Sequence, residues 1–253
     1  MALVPELRAV SHNGVGFLID EGALEAGILV AFGNRRGGVS RPPYDELNLA
    51  LRVGDDRADV IENRRRAAGG AGFEFSALAL ARQVHGTDVI DVSPGQTGVL
   101  GVADVLVTRR PGPVLGVLTA DCAPVVIAGE RGVAVAHAGW RGLVAGAVET
   151  GLEQVGPAWA AWIGPCIHEC CYEVGGDVLD AFSERDLPVA RPGRVDPAAA
   201  AAHVLHRFGV EAVAVAGECT HCTPGYFSFR RDGLTGRQGT FAGLLEPRLV
   251  GPT

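Results

Sequence analysis

Short apolar runs bounded by glycine, proline or aspartate recur along most of the chain. They predict strands over Gly16–Asp20, Leu29–Gly33, Leu78–Val84, Asp88–Val92, Ala103–Thr108, Val114–Ala120, Pro124–Ala128, Val133–His137, Ala160–Ile163 and Glu211–Ala216. Helical spacing is rarer. It predicts one helix from near Asp55 through "DDRADVIENRRRAA" and another after Trp140 through "RGLVAGAVETGLEQV". Two more are "GGDVLDAFSER" and "DPAAAAAHVLHRF", the last with Asp196 as N-cap and Pro197 at its first position. Strands outnumber helices and do not alternate with them. Between Ala103 and His137 four strands follow one another through short turns, which predicts hairpins rather than crossovers. The pattern implies an α+β layered fold with mixed or antiparallel sheets. Neither a repeat nor a linker divides the chain, so residues 1–253 are read as a single domain.

Composition narrows the function classes. With 253 residues and 47% hydrophobic content, the chain can bury a substantial core without staples. A net charge of −7 argues against a nucleic-acid partner. Every one of the 22 basic residues is arginine. Without lysine there is no Schiff base, pyridoxal anchor or Walker-type phosphate lysine, so anions must be bound by arginine or backbone N–H groups. Neither a membrane-length apolar run nor a signal-peptide pattern is expected from the sequence, and a cytoplasmic location follows as the expectation. There the six cysteines would serve as ligands, nucleophiles or core filler rather than disulfides.

The candidate chemistry begins in "VAVAHAGWRGLVAGAVE". A histidine ending an apolar strand is by default a core residue. His137, however, is followed by Gly139 and Gly142 bracketing Trp140 and Arg141, where the backbone can approach a ligand closely. A helix opening there, with Arg141 beside it, suits phosphate or carboxylate. "VLTADCAPVV" places Asp121 and Cys122 between two apolar runs, and a carboxylate in such a place needs a partner. "ARQVHGTDV" again ends a strand on a histidine, His85. Two imidazoles and a thiolate make a zinc ligand set with a vacant position, although their wide spacing matches no finger motif. A second group comprises Cys166, His168, Cys170, Cys171, Cys219, His221 and Cys222. A structural zinc on Cys219-x-x-Cys222 plus a pair near 170 is one reading. The uneven spacing favours the other, in which "IGPC" and "YEVGG" are turns entering a helix. Near the end, Arg230, Arg231, Asp232 and Arg237 form either a solvated turn or support for an anion site.

"RQVHGTDV", "TADCAPVVI", "HAGWRGLVAG", "IGPCIHECCYEVGG" and "CTHCTPGYFSFRRDGLTGR" resemble the YfiH family, whose members are described as laccase-domain polyphenol oxidases or purine nucleoside phosphorylases. The upstream "AFGNRRGGVSRPPYDELNL" fits too, with Gly33-Asn34 where the family commonly has Ser-Thr. The resemblance implies an α+β layered sandwich of mixed β-sheets with outer helices. It implies zinc, or alternatively copper, on His85, Cys122 and His137. It also implies phosphorolysis of adenosine, inosine, guanosine and methylthioadenosine, with adenosine deamination beside it. Catalytic roles are expected at Cys122, His137, Asp121 and Arg141, and substrate or phosphate contacts at Arg35, Asn48, Gly139 and Arg141. The partners implied are a purine nucleoside and phosphate, with no nucleic acid and no membrane, for a monomer or homodimer. Three alternatives stay open. One is an amide hydrolase using Cys122 and His137, and another is a metal- or thiol-sensing module. The third, a copper polyphenol oxidase, fits poorly: the chain has seven histidines, no His-x-His pair, and Met1 as its sole methionine.

Overall fold

The computed structural model describes residues 3–246. Two mixed sheets carry most of the strands. The first runs in the order β1 (Arg8–His12), β2 (Val15–Ile19), β3 (Ile28–Gly33), β15 (Gln238–Leu244), β8 (Val114–Thr119), β4 (Leu78–Arg82) and β6 (Gly98–Val102). The second runs β14 (Val213–Val215), β11 (Ala158–Ile163), β9 (Ala123–Gly129), β10 (Gly132–Ala138), β7 (Val105–Thr108) and β5 (Val89–Asp91). A small hairpin, β12 (Val189–Arg191) and β13 (Arg194–Val195), stands apart. The helices are α1 (Glu21–Glu25), α2 (Arg57–Ala71), α3 (Trp140–Ala145), α4 (Ala147–Val155), α5 (Gly176–Glu184), α6 (Pro197–Arg207) and α7 (Phe229–Asp232).

The sheets stack face to face, and their central strands are buried on both faces, which is why those strands read as continuous apolar runs. In β9, Val126 and Ala128 enter the layer between the sheets with Phe32, Leu115 and Trp162. Val125 and Ile127 point the other way, toward Leu152, Phe182 and Val204 of α4, α5 and α6. On the far side of the first sheet, Phe17, Leu80 and Phe241 pack with Ala67 of α2. The result is the α+β sandwich of mixed sheets with outer helices in a single domain. Among the described residues no helix is long and apolar enough to cross a membrane.

All ten expected strands are present, but their pairing differs. Of the four strands from Ala103 to His137, only β9 and β10 form a hairpin; β7 pairs with β10, and β8 belongs to the other sheet, between β15 and β4. Stacked sheets lie only about 10 Å apart, so a turn of a few residues crosses between them as easily as it closes a hairpin. Asp121 and Cys122 sit in such a crossing, from β8 to β9. The expected helix after Trp140 is broken at Gly146, whose φ of 97° caps α3 through bonds to Gly142 and Leu143.

Candidate metal centre

The two sheets meet at one end of the sandwich, and three side chains converge there from three directions. His137 lies on β10, where the period of two puts it on the same inward face as Val133 and Val135. His85 follows β4 of the opposite sheet, and Cys122 lies in the crossing between the sheets. Their donor atoms all fall within 4.8 Å of one another, with Cys122 Sγ 3.7 Å from His85 Nε2. The imidazole rings of His85 and His137 are 4.7 Å apart between centroids. Zinc bonds of about 2.0–2.3 Å in a tetrahedron set neighbouring N and S ligands roughly 3.3–3.8 Å apart. The three donors fit a single cation.

A residue that the sequence reading passed over organises this trio. Asp104 is 1% exposed and begins the apolar run of β7. Its carboxylate accepts the consecutive N–H groups of Val84, His85 and Gly86, the last at 2.7 Å. It also lies 2.8 Å from His137 Nδ1. One carboxylate thus holds His85 in its left-handed conformation (φ 63°) and fixes the His137 ring, turning its other nitrogen toward the donors. Asp104 could have been found by the argument applied to Asp121: a carboxylate inside an apolar strand requires partners.

The electrostatics follow from proximity. Burial alone would push the Cys122 thiol up, but His137 and then His85 outweigh it and bring it down to about 6. Burial likewise opposes the His137 cation, yet Cys122 and Asp104 raise it to about 9. Without a metal, the pair is a thiolate beside an imidazolium at neutral pH. Burial disfavours the Asp104 anion, and the bonds from His137, Gly86 and Val84 nonetheless lower it.

Gly139 is required for space. A Cβ there would come within 2.8 Å of both Cys122 Sγ and His85 Cδ2. Gly139→Ala is therefore expected to push two of the three donors apart and weaken any metal binding by the trio roughly 10–100-fold, the penalty typical of a lost orienting contact. Competition with a chromogenic chelator measures this; an unchanged affinity would mean the ligands do not sit as described.

Asp121 takes a positive φ of 92° in the crossing. Its carboxylate accepts from the Thr220 hydroxyl and from the Arg230 N–H, each at 2.7 Å, while Ile167 N–H donates to its carbonyl. These bonds fix the backbone that carries Cys122. Arg141 is exposed on the six-residue α3, its guanidinium 4.2 Å from the centre of the Trp140 ring. It has no carboxylate partner among the described residues. Arg35 is already engaged: it bridges Asp45 at 3.2 Å and Asp232 at 3.8 Å, and its guanidinium lies over Phe227.

Asn48, expected as a substrate contact, lies beneath the surface. It is fully buried, its amide donates to Ala50 and Asp55, and its carbonyl accepts from Ala50 and Arg237. Its polar atoms are consumed in holding the loop to the start of β15. Arg230 and Tyr172, which sequence reasoning did not assign, border a cleft of about 430 Å³ with Trp140, Glu173 and Val178. Burial raises the Tyr172 hydroxyl, and the Cys122 charge raises it further.

In the second cysteine group, residues 169–171 form a turn and "YEVGG" leads into α5, as expected. The sulfurs of Cys170, Cys171, Cys219 and Cys222 lie within 4.8 Å of one another, whereas Cys166 is buried in the core.

With this geometry in view, residues 29–245 match the family described as multi-copper polyphenol oxidoreductase laccase. The chain belongs to that family. It is 36% identical over 246 residues to the Escherichia coli purine nucleoside phosphorylase YfiH, covering 87% of this chain and 95% of that protein. The Pseudomonas aeruginosa purine nucleoside phosphorylase PA4543 is 40% identical over 226 residues, covering 83% and 90%. The crystal structure of YlmD from Geobacillus stearothermophilus superposes with a TM-score of 0.84 at 31% identity, covering 96% of this chain and 99% of that one. The YfiH resemblance and the layered fold it implies are both borne out. The family's laccase description sits beside a site that, among the described residues, gathers a His₂Cys donor set.

Proposed function

We propose that this chain is a zinc-dependent purine nucleoside phosphorylase acting on adenosine, inosine, guanosine and methylthioadenosine, with adenosine deamination as a second activity of the same site. The observation that carries the reading is the His85, Cys122 and His137 trio locked by Asp104, and the names of the relatives support it. Zinc on three protein ligands keeps an open position and supplies Lewis acidity toward the purine; copper is the alternative occupant. Trp140 and Tyr172 offer aromatic surface for the base. Arg141 and Arg230, which flank those rings without carboxylate partners among the described residues, are the best placed to hold phosphate. Arg35 supports the wall of the cleft, and Asp121 acts as a positioning residue for Cys122. In phosphorolysis a phosphate oxygen bonds to C1′ of the ribose while the bond to the purine nitrogen breaks; the electron pair leaves with the base, which takes up the proton given up by hydrogen phosphate.

Incubation of the zinc-loaded protein with inosine or adenosine and phosphate should release free base and ribose 1-phosphate. No release at high enzyme concentration would refute the reading. A separate outcome concerns pH. Between about 6 and about 9 the metal must displace the His137 proton while Cys122 is already a thiolate. Zinc affinity should therefore rise about tenfold per pH unit across that window, and more steeply below about 6, where the thiol proton must also leave. Calorimetric titrations at several pH values decide it: a flat dependence between pH 6 and 8 rules out the ion pair.

A second reading, an amide hydrolase with Cys122 as nucleophile, draws on one observation. Cys122, His137 and Asp104 stand in the order of nucleophile, base and orienting carboxylate.

A further inference from the structure

We propose that Cys170, Cys171, Cys219 and Cys222 form a second metal site, a closed tetrathiolate that takes zinc and clamps one wall of the cleft. The topology brings the four together. β11 and β14 are parallel neighbours, with Ile163 opposite Val215, so the segments leaving their ends run side by side. That pairing continues as a bridge between Cys166 and Cys219. Beyond it one segment turns at Cys170-Cys171 and the other at Cys219-Thr220-His221-Cys222.

The distances suit a metal better than a disulfide. Cys222 Sγ lies 3.1 Å from Cys171 Sγ and 3.6 Å from Cys170 Sγ, with all four sulfurs inside 4.8 Å. Zn–S bonds of about 2.3 Å in a tetrahedron place sulfurs roughly 3.8 Å apart. A sulfur–sulfur bond requires about 2.05 Å. Four thiolates fill a tetrahedral zinc, so the site would be structural rather than catalytic.

The surroundings suit the charge of such a cluster. Cys219 Sγ accepts the N–H of His168 at 3.4 Å. Arg194 donates to the Cys170 carbonyl, and Arg231 donates to the carbonyls of Thr220 and His221. Both ligand turns are therefore braced by an arginine, and the Arg231 guanidinium is also paired with Asp232 at 2.8 Å. Both also border the chemistry already described. Cys171 precedes Tyr172 of the cleft, and Cys219 precedes Thr220, which holds Asp121 beside Cys122. This inference stands whether or not the chain acts on nucleosides.

The test is alkylation mapping of the full chain purified with zinc supplied, using N-ethylmaleimide and mass spectrometry. All four thiols should resist modification, although Cys170 and Cys222 are exposed, and should react once a strong chelator is added. In parallel, the paired substitution Cys219→Ser and Cys222→Ser should lower zinc content by one equivalent per chain relative to the unsubstituted protein. Rapid alkylation of Cys170 and Cys222 before chelation would overturn the proposal. So would a peptide joined by a Cys171–Cys222 disulfide, or an unchanged zinc content in the double variant. The alkylation arm needs no variant, so a substituted chain that fails to fold leaves the test intact.

Discussion

Asp104→Ala is expected to destabilise the chain by about 3–5 kcal/mol, the range for breaking a buried, hydrogen-bonded charge pair. It should also weaken zinc binding roughly 10–100-fold. The carboxylate sits in the sandwich end with three backbone N–H groups and the His137 ring against it. Its removal leaves those donors buried without an acceptor. It also frees His85 from the left-handed conformation that aims its ring, and lets the His137 ring rotate. Asp104→Asn keeps the shape but replaces one acceptor by an NH₂ group facing N–H donors, so it should fall between the two. Urea unfolding gives the stability and chelator competition gives the affinity. A chain that is destabilised but binds zinc as tightly as before would make Asp104 a scaffold residue with no hold on the ligands.

The legible part of this site was the part carried by local pattern. A histidine ending the apolar run of β10, followed by glycines around Trp140 and Arg141, could be recognised because strand period and glycine placement act over a few residues. Cys122 and His85 were recognisable individually, and the family resemblance joined them. What escaped was set by packing between distant segments. β15 was not anticipated because Gly239 and Gly243 interrupt its apolar run. Both glycines are demanded by close contacts, with Leu49 and with the Pro113 carbonyl, that no local window contains. The exchange of β8 into the opposite sheet was hidden for the same reason: a turn of given length says nothing about which sheet receives the next strand. The partner of Asn48 at Arg237 likewise lies outside any local window. The convergence of the four cysteines was hidden because their proximity is set between parallel strand ends, not along the chain.

Cys122→Ser is expected to lower phosphorolysis by roughly 10²–10⁴-fold, the several kcal/mol that Lewis-acid assistance contributes. Serine keeps the shape but offers a hydroxyl that is not ionised near neutral pH, so the cation loses its anionic ligand. His137 would at the same time lose the largest of the influences that raise it, and its proton would become easier to remove. Loss of activity alone does not separate a ligand from a nucleophile, because the hydrolase reading predicts it too. Metal loading separates them. In the metal-free chain Cys122, brought down to about 6, is mostly thiolate at pH 7 and should alkylate quickly. Bound zinc ties up the same electron pair and should protect it while switching phosphorolysis on. A nucleophilic cysteine behaves in the opposite way, with zinc as its inhibitor. An unsubstituted chain that turns over substrate faster after metal removal, and is silenced by alkylation of Cys122 alone, would transfer the site from metal chemistry to thiol chemistry, with Asp104 and His137 keeping the same positions in either case.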